Sequence, residues 1–176
     1  PELVAPMKSD LTEVGMNELI TAEDVDNALK QEGTTLVVLN SVCGCAAGSM
    51  RPGVKLALQH SKLPNHKTTA FAGVDKDAVD RARKFMLPYP PSSPSIALFK
   101  DGRLMHMIER HHIEGRTAEM ISDNLKLAFD EYCKTENESP SLSTLSSCRC
   151  VSSYAADLDL DSSFFSNGRF STESPA

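Results

Sequence analysis

The stretch TTLVVLNSVCGC, residues 34–45, decides how the chain is organised. Its first seven residues form a short, continuous apolar run rich in β-branched side chains, a pattern typical of a buried central strand. The run delivers the chain to Cys43 and Cys45, which a single glycine separates. We therefore expect a buried strand that ends at an exposed Cys-Gly-Cys turn, where a helix begins.

Helical and extended patterns alternate on both sides of this strand. Thr21 with the acids that follow it is typical of a helix N-cap, since acidic side chains suit the positive end of the helix dipole. Proline lacks an N–H, so Pro52 is tolerable only near the first turn of the helix that follows the cysteines. The predicted elements are a helix from Thr21 to near Gly33, a strand over 34–40, a helix to about His60, a strand over 68–74 and a helix over 77–86.

The pattern changes after a cluster of prolines at residues 88–94. Ile96–Phe99, the turn pair Asp101-Gly102 and Leu104–Ile108 are typical of an antiparallel hairpin. A last helix is expected from Thr117 to about Cys133, where it would cover the sheet. Its apolar residues lie largely on one face: Met120, Ile121, Leu125, Leu127, Ala128 and Phe129.

Composition limits the class of protein. The chain has 176 residues, of which 40% are hydrophobic and 24% charged, and this balance is typical of a water-soluble globular protein with one ordinary domain. No apolar run approaches the length of a membrane span. The net charge of -6 argues against nonspecific nucleic-acid binding. With no secretory signal at the start, we expect a cytoplasmic protein.

The composition shifts near Lys134. We expect one domain over residues 1–133 and a Ser-rich, disordered tail over 134–176, because long apolar periodicity ends there. The tail holds a second Cys-x-Cys, Cys148 and Cys150, without a flanking strand or helix pattern. A functional role for that pair is the minor interpretation, and an extension of unselected sequence is another.

Cys43 and Cys45 suit thiol-disulfide exchange, which needs a thiolate nucleophile and a second thiol within reach. A helix start favours the thiolate, and Gly44 relaxes the backbone of the small ring that a disulfide would close. One intervening residue is expected to strain the Cα separation of that disulfide. We therefore expect a more oxidising bond than in a Cys-x-x-Cys pair, and a potential near about -270 mV would contradict this.

The sequence also allows other roles for the cysteines and for the residues around them. The two cysteines could be buried and inert, or could bind zinc with ligands drawn from His60, His66, His106, His111, His112 and Cys133. His111 and His112 are adjacent, so we expect them to point to opposite sides as solvated residues. Arg51 could stabilise a Cys43 thiolate or only balance charge near the helix start. Cys133 is expected to be a surface thiol.

Several segments of the sequence resemble segments of known protein families. Ser93-Pro94 followed by an apolar strand and Lys100-Asp101-Gly102 resembles thioredoxins, in which this proline is cis and packs beside the active cysteines. The resemblance becomes closer with NSVCGCAAG at 40–48, Arg51-Pro52, MKSDL at 7–11 and DKD at 75–77. Over residues 1–133 the chain resembles the bacilliredoxin family, which implies an α/β, thioredoxin-like fold with a central mixed sheet flanked by helices.

The resemblance also implies a function. Cys43 would attack a protein mixed disulfide and take bacillithiol onto itself, and Cys45 would resolve this adduct or modulate its reactivity. Gly44, Ser93 and Pro94 would shape the substrate-facing groove. The implied partners are S-thiolated client proteins, the low-molecular-weight thiol and a flavin-dependent disulfide reductase for recycling. We expect no metal and no cofactor apart from bacillithiol as substrate or co-substrate. A general disulfide reductase or isomerase and a noncatalytic binding or metal-carrying module are the alternatives.

Overall fold

The computed structural model describes residues 2–134 of the chain. The Ser-rich segment with Cys148 and Cys150 lies outside the described residues. No helix within the described part is long and apolar enough to cross a membrane. The elements are α1 (Ala5–Thr12), β1 (Asn17–Glu18), α2 (Ala22–Lys30), β2 (Thr34–Asn40), α3 (Arg51–Ala57), β3 (His66–Phe71), α4 (Lys76–Phe85), β4 (Ser95–Lys100), β5 (Arg103–Ile108), α5 (Arg110–Ile113) and α6 (Ala118–Tyr132). A π-helical segment, Ala46–Met50, directly precedes α3.

The five strands form one mixed sheet in the order β1-β3-β2-β4-β5. The strands β1, β3 and β2 are parallel, whereas β4 is antiparallel to both β2 and β5. All seven residues of β2 are buried, as its apolar run predicts. This arrangement of strands and helices confirms the expected α/β, thioredoxin-like fold.

Helices cover both faces of the sheet, and alternation along β2 explains how. Successive side chains of a strand point to opposite faces. Leu36 and Val38 belong to the core cluster that contains residues of α3 and α6. Val37 and Leu39 belong to a second cluster, with residues of α2 and α4. The central strand therefore needs an uninterrupted apolar sequence, because neither of its faces is solvated.

Local capping and turn residues act as their sequence patterns predict. Thr21 caps α2 and forms a reciprocal capping box with Asp24. Asp101 and Gly102 join β4 to β5 with φ of 49° and 75°, the left-handed conformations that tight hairpin turns require. Thr117 caps α6 by accepting a hydrogen bond from the N–H of Met120.

Three expectations about element bounds and faces are wrong. β3 covers His66–Phe71 instead of 68–74, because the chain turns at Gly73, where φ is 92°. Leu127 is 71% exposed and Met120 is 48% exposed, so neither joins the buried face of α6. Apolar character alone placed them there. The buried residues of α6 are Ile121, Ser122, Leu125, Ala128 and Phe129.

The N-terminal helix α1 has no counterpart in the sequence-based prediction. Only Leu11 of its eight residues is buried, so α1 lacks the apolar stripe from which helices are recognised. Polar contacts hold it instead. Lys8 Nζ lies 3.0 Å from Oδ1 and 2.9 Å from Oδ2 of Asp75, a carboxylate whose side chain is 6% exposed. Helix α1 is thus fastened to the turn that follows β3.

Gly53 allows α3 and α6 to approach closely. A Cβ at this position would lie 2.8 Å from the carbonyl oxygen of Ala118 and 2.9 Å from Cβ of Ile121. Atoms do not approach so closely without repulsion, so any side chain here pushes the two helices apart.

We expect Gly53→Ala to lower the free energy of unfolding by about 1–3 kcal/mol, the usual range for overpacking. Urea denaturation followed by circular dichroism measures it. Gly48→Ala is the matched control, because a Cβ at Gly48 meets no atom within 4 Å. Equal stability of the two variants would show that the α3–α6 contact can relax without cost.

Candidate active site

Cys43 and Cys45 lie where β2 ends and a helix begins. The carbonyl oxygen of Cys43 accepts hydrogen bonds from the N–H groups of Ala46 and Ala47 at 3.1 and 3.2 Å. Both cysteines are half-buried and joined as a disulfide. Their Cα atoms are 5.4 Å apart, which lies in the ordinary range for disulfides.

The sulfur of Cys43 receives two hydrogen-bond donors. The hydroxyl of Ser41 and the N–H of Ala46 each lie 3.3 Å from Sγ of Cys43. Within residues 2–134, the sulfur of Cys45 has no donor of this kind. Hydrogen bonds to the charged form of a group favour that form, and the N-terminal end of a helix favours negative charge. The surroundings therefore stabilise a thiolate on Cys43 more than on Cys45.

A π-helical turn separates the cysteines from α3. The N–H of Arg51 bonds to the carbonyl oxygen of Ala46, five residues earlier, as a π turn requires. Pro52 follows as one of the first residues of α3, where a missing N–H is tolerated, as predicted. The π turn itself has no signal in the apolar pattern, and such turns occur often at functional sites.

Arg51 is buried beneath the loop that carries the cysteines. Its Nη1 donates to Oδ1 of Asn40 and to the carbonyl oxygen of Ser41, both at 3.2 Å. Its Nε lies 2.9 Å from Oδ2 of Asp10 in an ion pair. The guanidinium thus binds Asn40, the last residue of β2, and Ser41, the residue after it, and within residues 2–134 it donates no hydrogen bond to either sulfur. These contacts favour neither of the two roles considered for Arg51. They favour a third role, in which Arg51 positions the loop before Cys43.

Asn40 and Asp10 complete this network. Asn40 donates through Nδ2 to the carbonyl oxygen of Met7, and its Oδ1 accepts from the N–H of Ser41 at 2.9 Å. The hydrogen bond from Lys55, together with the charges of Lys55 and Arg51, holds the pKa of the Asp10 carboxyl below its ordinary value. Helix α1 therefore supplies a carbonyl and a carboxylate that keep the loop before Cys43 in place.

The proline loop reaches the same edge of the sheet. The Ser93–Pro94 peptide bond is cis, as the resemblance implies, and Leu87–Pro88 is a second cis bond that was not expected. Ser95 pairs with Leu39, so Pro94 lies beside the end of β2 from which the chain continues to the cysteines. The Ser93 carbonyl accepts from Nη1 of Arg110 at 3.3 Å, so it is already engaged.

Gly44 is exposed between the two cysteines. A Cβ at this position would meet no atom within 4 Å. The turn between the two cysteines is therefore accessible on the side to which a side chain at residue 44 would point.

The histidines that could serve a metal site lie apart from the two cysteines. Glu109, His111 and His112 bring one ligand atom each within 4.8 Å of one another, and neither Cys43 nor Cys45 belongs to this group. The expectation that His111 and His112 point apart is wrong: both lie on α5, with ring centroids 3.8 Å apart. A helical turn brings adjacent residues only 100° apart, whereas a strand would oppose them.

Cys133 is buried instead of exposed at the surface. It is 6% exposed and belongs to the core cluster between α6 and the sheet. Burial raises the pKa of the Cys133 thiol, because the thiolate would lose its hydration. This cysteine therefore acts as a core residue in the described structure.

Known proteins match the chain over the region that contains this site. A family model described as disulphide isomerase matches residues 1–133. A bacilliredoxin of Cytophaga hutchinsonii is 61% identical over 130 residues, which are 74% of this chain and 96% of that protein. A bacilliredoxin of Staphylococcus aureus is 48% identical over 132 residues, 75% of this chain and 91% of that protein. Among solved structures, the oxidised mitochondrial thioredoxin 3 of Saccharomyces cerevisiae aligns with 18% identity and a TM-score of 0.48. The alignment covers 70% of this chain and 99% of that chain.

We expect Ser41→Ala to slow alkylation of reduced Cys43 at pH 7 by about fivefold, the effect of losing one hydrogen bond of about 1 kcal/mol. The rate is measured by iodoacetamide labelling and mass spectrometry in a Cys45→Ser background. Ser49→Ala is the control, since its hydroxyl donates to the carbonyl oxygen of Arg116. An unchanged rate in Ser41→Ala would show that this hydroxyl does not stabilise the thiolate.

We expect Arg51→Met to lower the free energy of unfolding by about 1–3 kcal/mol, because the buried acceptors of Asn40 and Ser41 lose their donor. The alkylation rate of Cys43 should fall as well. Lys55→Met is the control, because Lys55 binds the same Asp10 carboxylate at 3.1 Å and touches neither acceptor. If Lys55→Met produced the same two effects, the charge on Asp10 would be responsible instead of the loop contacts.

Proposed function

The chain belongs to the bacilliredoxin family, and from this premise we propose that it removes bacillithiol from mixed disulfides on client proteins. Membership makes the chain an enzyme, a thiol-disulfide oxidoreductase, instead of a noncatalytic binding module. The single observation that carries the proposed mechanism is the pair of donors on the sulfur of Cys43. These donors support the proposal that Cys43 is the attacking thiolate.

In the first step the Cys43 thiolate attacks the bacillithiol sulfur of the mixed disulfide. A new disulfide forms between Cys43 and bacillithiol, and the bond to the client breaks, so that the client leaves as its thiolate. One disulfide is exchanged for another, and no electrons are gained or lost overall.

In the second step the Cys45 thiolate attacks Sγ of Cys43. Bacillithiol leaves as its thiolate, and the Cys43–Cys45 disulfide forms, which is the state of the described structure. The ring contains only Gly44 between the two cysteines, so Cys45 is within reach without a large rearrangement. Return to the dithiol needs two electrons from an external thiol or from a flavin-dependent disulfide reductase.

The surroundings of the site suit a protein as the client. Parallel strands β2 and β3 end at one edge of the sheet, and the antiparallel strand β4 begins there. The loops around this edge carry four exposed apolar side chains, which a protein client covers in the proposal. They are Val42 at 65% exposure, Val74 at 46%, Leu87 at 67% and Tyr89 at 40%.

Gly44, Ser93 and Pro94 serve this client in the proposal. Gly44 is exposed and has no side chain, which allows the backbone of a client to approach the turn that carries Cys43. Pro94 has no N–H and therefore cannot compete for acceptors on an extended client segment. Ser93 contributes less than the sequence suggests, because Arg110 already engages its carbonyl.

General disulfide isomerisation is the second candidate. The description of the matching family model favours it, and it needs the same attacking sulfur. The two activities differ in the leaving group and in the resolving thiol. An isomerase returns the client to a new internal disulfide, whereas the proposed reaction ends with free bacillithiol.

The decisive experiment follows the mass of bacillithiol from a modified client protein to the enzyme. We expect transfer to Cys43 in the wild type, a trapped adduct on Cys43 in Cys45→Ala, and no transfer in Cys43→Ala, because only Cys43 attacks. Mass spectrometry of intact proteins and tryptic peptides measures each outcome. Reduction of ordinary protein disulfides without any transfer of bacillithiol would favour the general reductase or isomerase instead.

A further inference from the structure

We propose that a cleft between β5 and α6 binds the anionic head group of the low-molecular-weight thiol, a specificity site that rests on the proposed function. The cleft has a volume of 380 Å³, a size that accommodates small ligands. Its polar lining consists of His106, His112, Arg116 and Asn124, over a floor that includes Ile108 and Ile121. We call it the β5–α6 cleft.

Hydrogen bonds within the lining of the β5–α6 cleft decide which polar groups can donate to a ligand. Nε2 of His106 lies 2.7 Å from Oδ1 of Asn124. Since a carbonyl oxygen can only accept, His106 donates through Nε2 to Asn124, and this bond leaves the amide nitrogen of Asn124 as a donor. Nδ1 of His112 accepts the N–H of Glu109 at 3.3 Å, so the neutral ring carries its proton on Nε2.

Arg116 adds a planar guanidinium to these donors. Within residues 2–134, Arg116 forms no ion pair with a carboxylate, and no carboxylate lines the cleft. The acidic side chains nearest to Arg116 along the chain are engaged elsewhere. Glu114 pairs with Arg110 at 2.6 Å, and hydrogen bonds from its own backbone N–H and from the Thr117 hydroxyl hold the pKa of Glu119 below its ordinary value. The Glu109 carboxylate lies within 4.8 Å of a ring nitrogen of His112 but does not line the cleft. A cleft with donors and without carboxylates selects a ligand rich in carboxylates and hydroxyls.

The segment that carries Arg116 of the β5–α6 cleft contacts the helical segment that follows the cysteines. The hydroxyl of Ser49, four residues after Cys45 in the helical segment, donates to the carbonyl oxygen of Arg116 at 2.6 Å. On the other side, Arg110 holds the proline loop through the carbonyl of Ser93. The segment 110–116 therefore bridges the cysteine-bearing helix and the proline loop. In addition, Cys43 and Cys45 pack against the same core cluster that contains Ile108 and Ile121.

Strand pairing places the cleft and the cysteines at one edge of the sheet. Ile108, the last residue of β5, pairs with Ile96 near the start of β4, and Leu39 near the end of β2 pairs with Ser95. Bacillithiol joins its cysteine to an amino sugar that carries malate, so its remote end bears two carboxylates and several hydroxyls. With its sulfur at Cys43, the thiol directs this end toward the donors of the cleft.

The first experiment compares two adducts of one client protein, one with bacillithiol and one with 2-mercaptoethanol, which lacks the anionic head group. We expect Arg116→Gln to raise KM for the bacillithiol adduct about tenfold more than for the mercaptoethanol adduct, as loss of a charge-assisted hydrogen bond predicts. The ratio of kcat values should stay unchanged, because the reacting sulfurs are the same. Arg103→Gln, at the far end of β5 and outside the cleft, is the matched control and should leave both KM values unchanged.

The second experiment separates this inference from the proposed function. The thiol-free head group, glucosaminyl malate, is titrated into the full chain, and binding is followed by calorimetry. Saturable binding that Arg116→Gln weakens and Arg103→Gln preserves supports the cleft whether or not the enzyme acts on bacillithiol. An absence of saturable binding, or equal KM changes for both adducts in Arg116→Gln, would overturn the assignment of the cleft. A wild type that binds the head group but transfers no bacillithiol would contradict the proposed function alone.

Discussion

The position of the loop that leads to Cys43 depends on the contacts of the buried Arg51 guanidinium. It joins three elements that are far apart in sequence: α1 through Asp10, the end of β2 through Asn40, and α3, on which Arg51 itself lies. A charged group in the interior is stabilised only when it is paired and hydrogen-bonded, so the three elements must meet in one arrangement. The carbonyl of Ser41 is bound in the same way, two residues before Cys43.

This arrangement explains why the two cysteines differ although they are neighbours. Ser41 is held by Arg51 and Asn40, and from that position its hydroxyl reaches the sulfur of Cys43. The N–H of Ala46 reaches the same sulfur because the helix begins at Cys43. Cys45 lies two residues further along the chain, and both donors bond to the sulfur of Cys43 instead of its own. Backbone geometry and one hydroxyl therefore give the sulfur of Cys43 the two donors on which the proposed difference between the cysteines rests.

Much of the fold could be predicted because its signals are local. The buried strand 34–40, the Thr21 cap, the Asp101-Gly102 hairpin and the last helix each depend on periodicity or on residues with special backbone preferences. Helix α1 could not be predicted in this way, since polar contacts to Asp75 and Arg51 stabilise it and it has almost no apolar face. The burial of Cys133 and the exposure of Leu127 could not be predicted either, because they depend on which side of α6 meets the sheet.

By itself, the sequence determined the chemistry of this protein. A strand-forming run followed by Cys43, Gly44 and Cys45 places two thiols at a helix start, and both strand formation and helix capping are decided by residues close in the chain. The tertiary structure decided which sulfur receives hydrogen-bond donors, what supports the loop before it and which groups surround it. Ser41, Arg51, Asp10 and the donors of the β5–α6 cleft come together only when β2, β4 and β5 pair and α1, α3 and α6 pack around them. Long-range contacts of this kind leave no periodic signal, because they depend on distances in space and not on spacing along the chain.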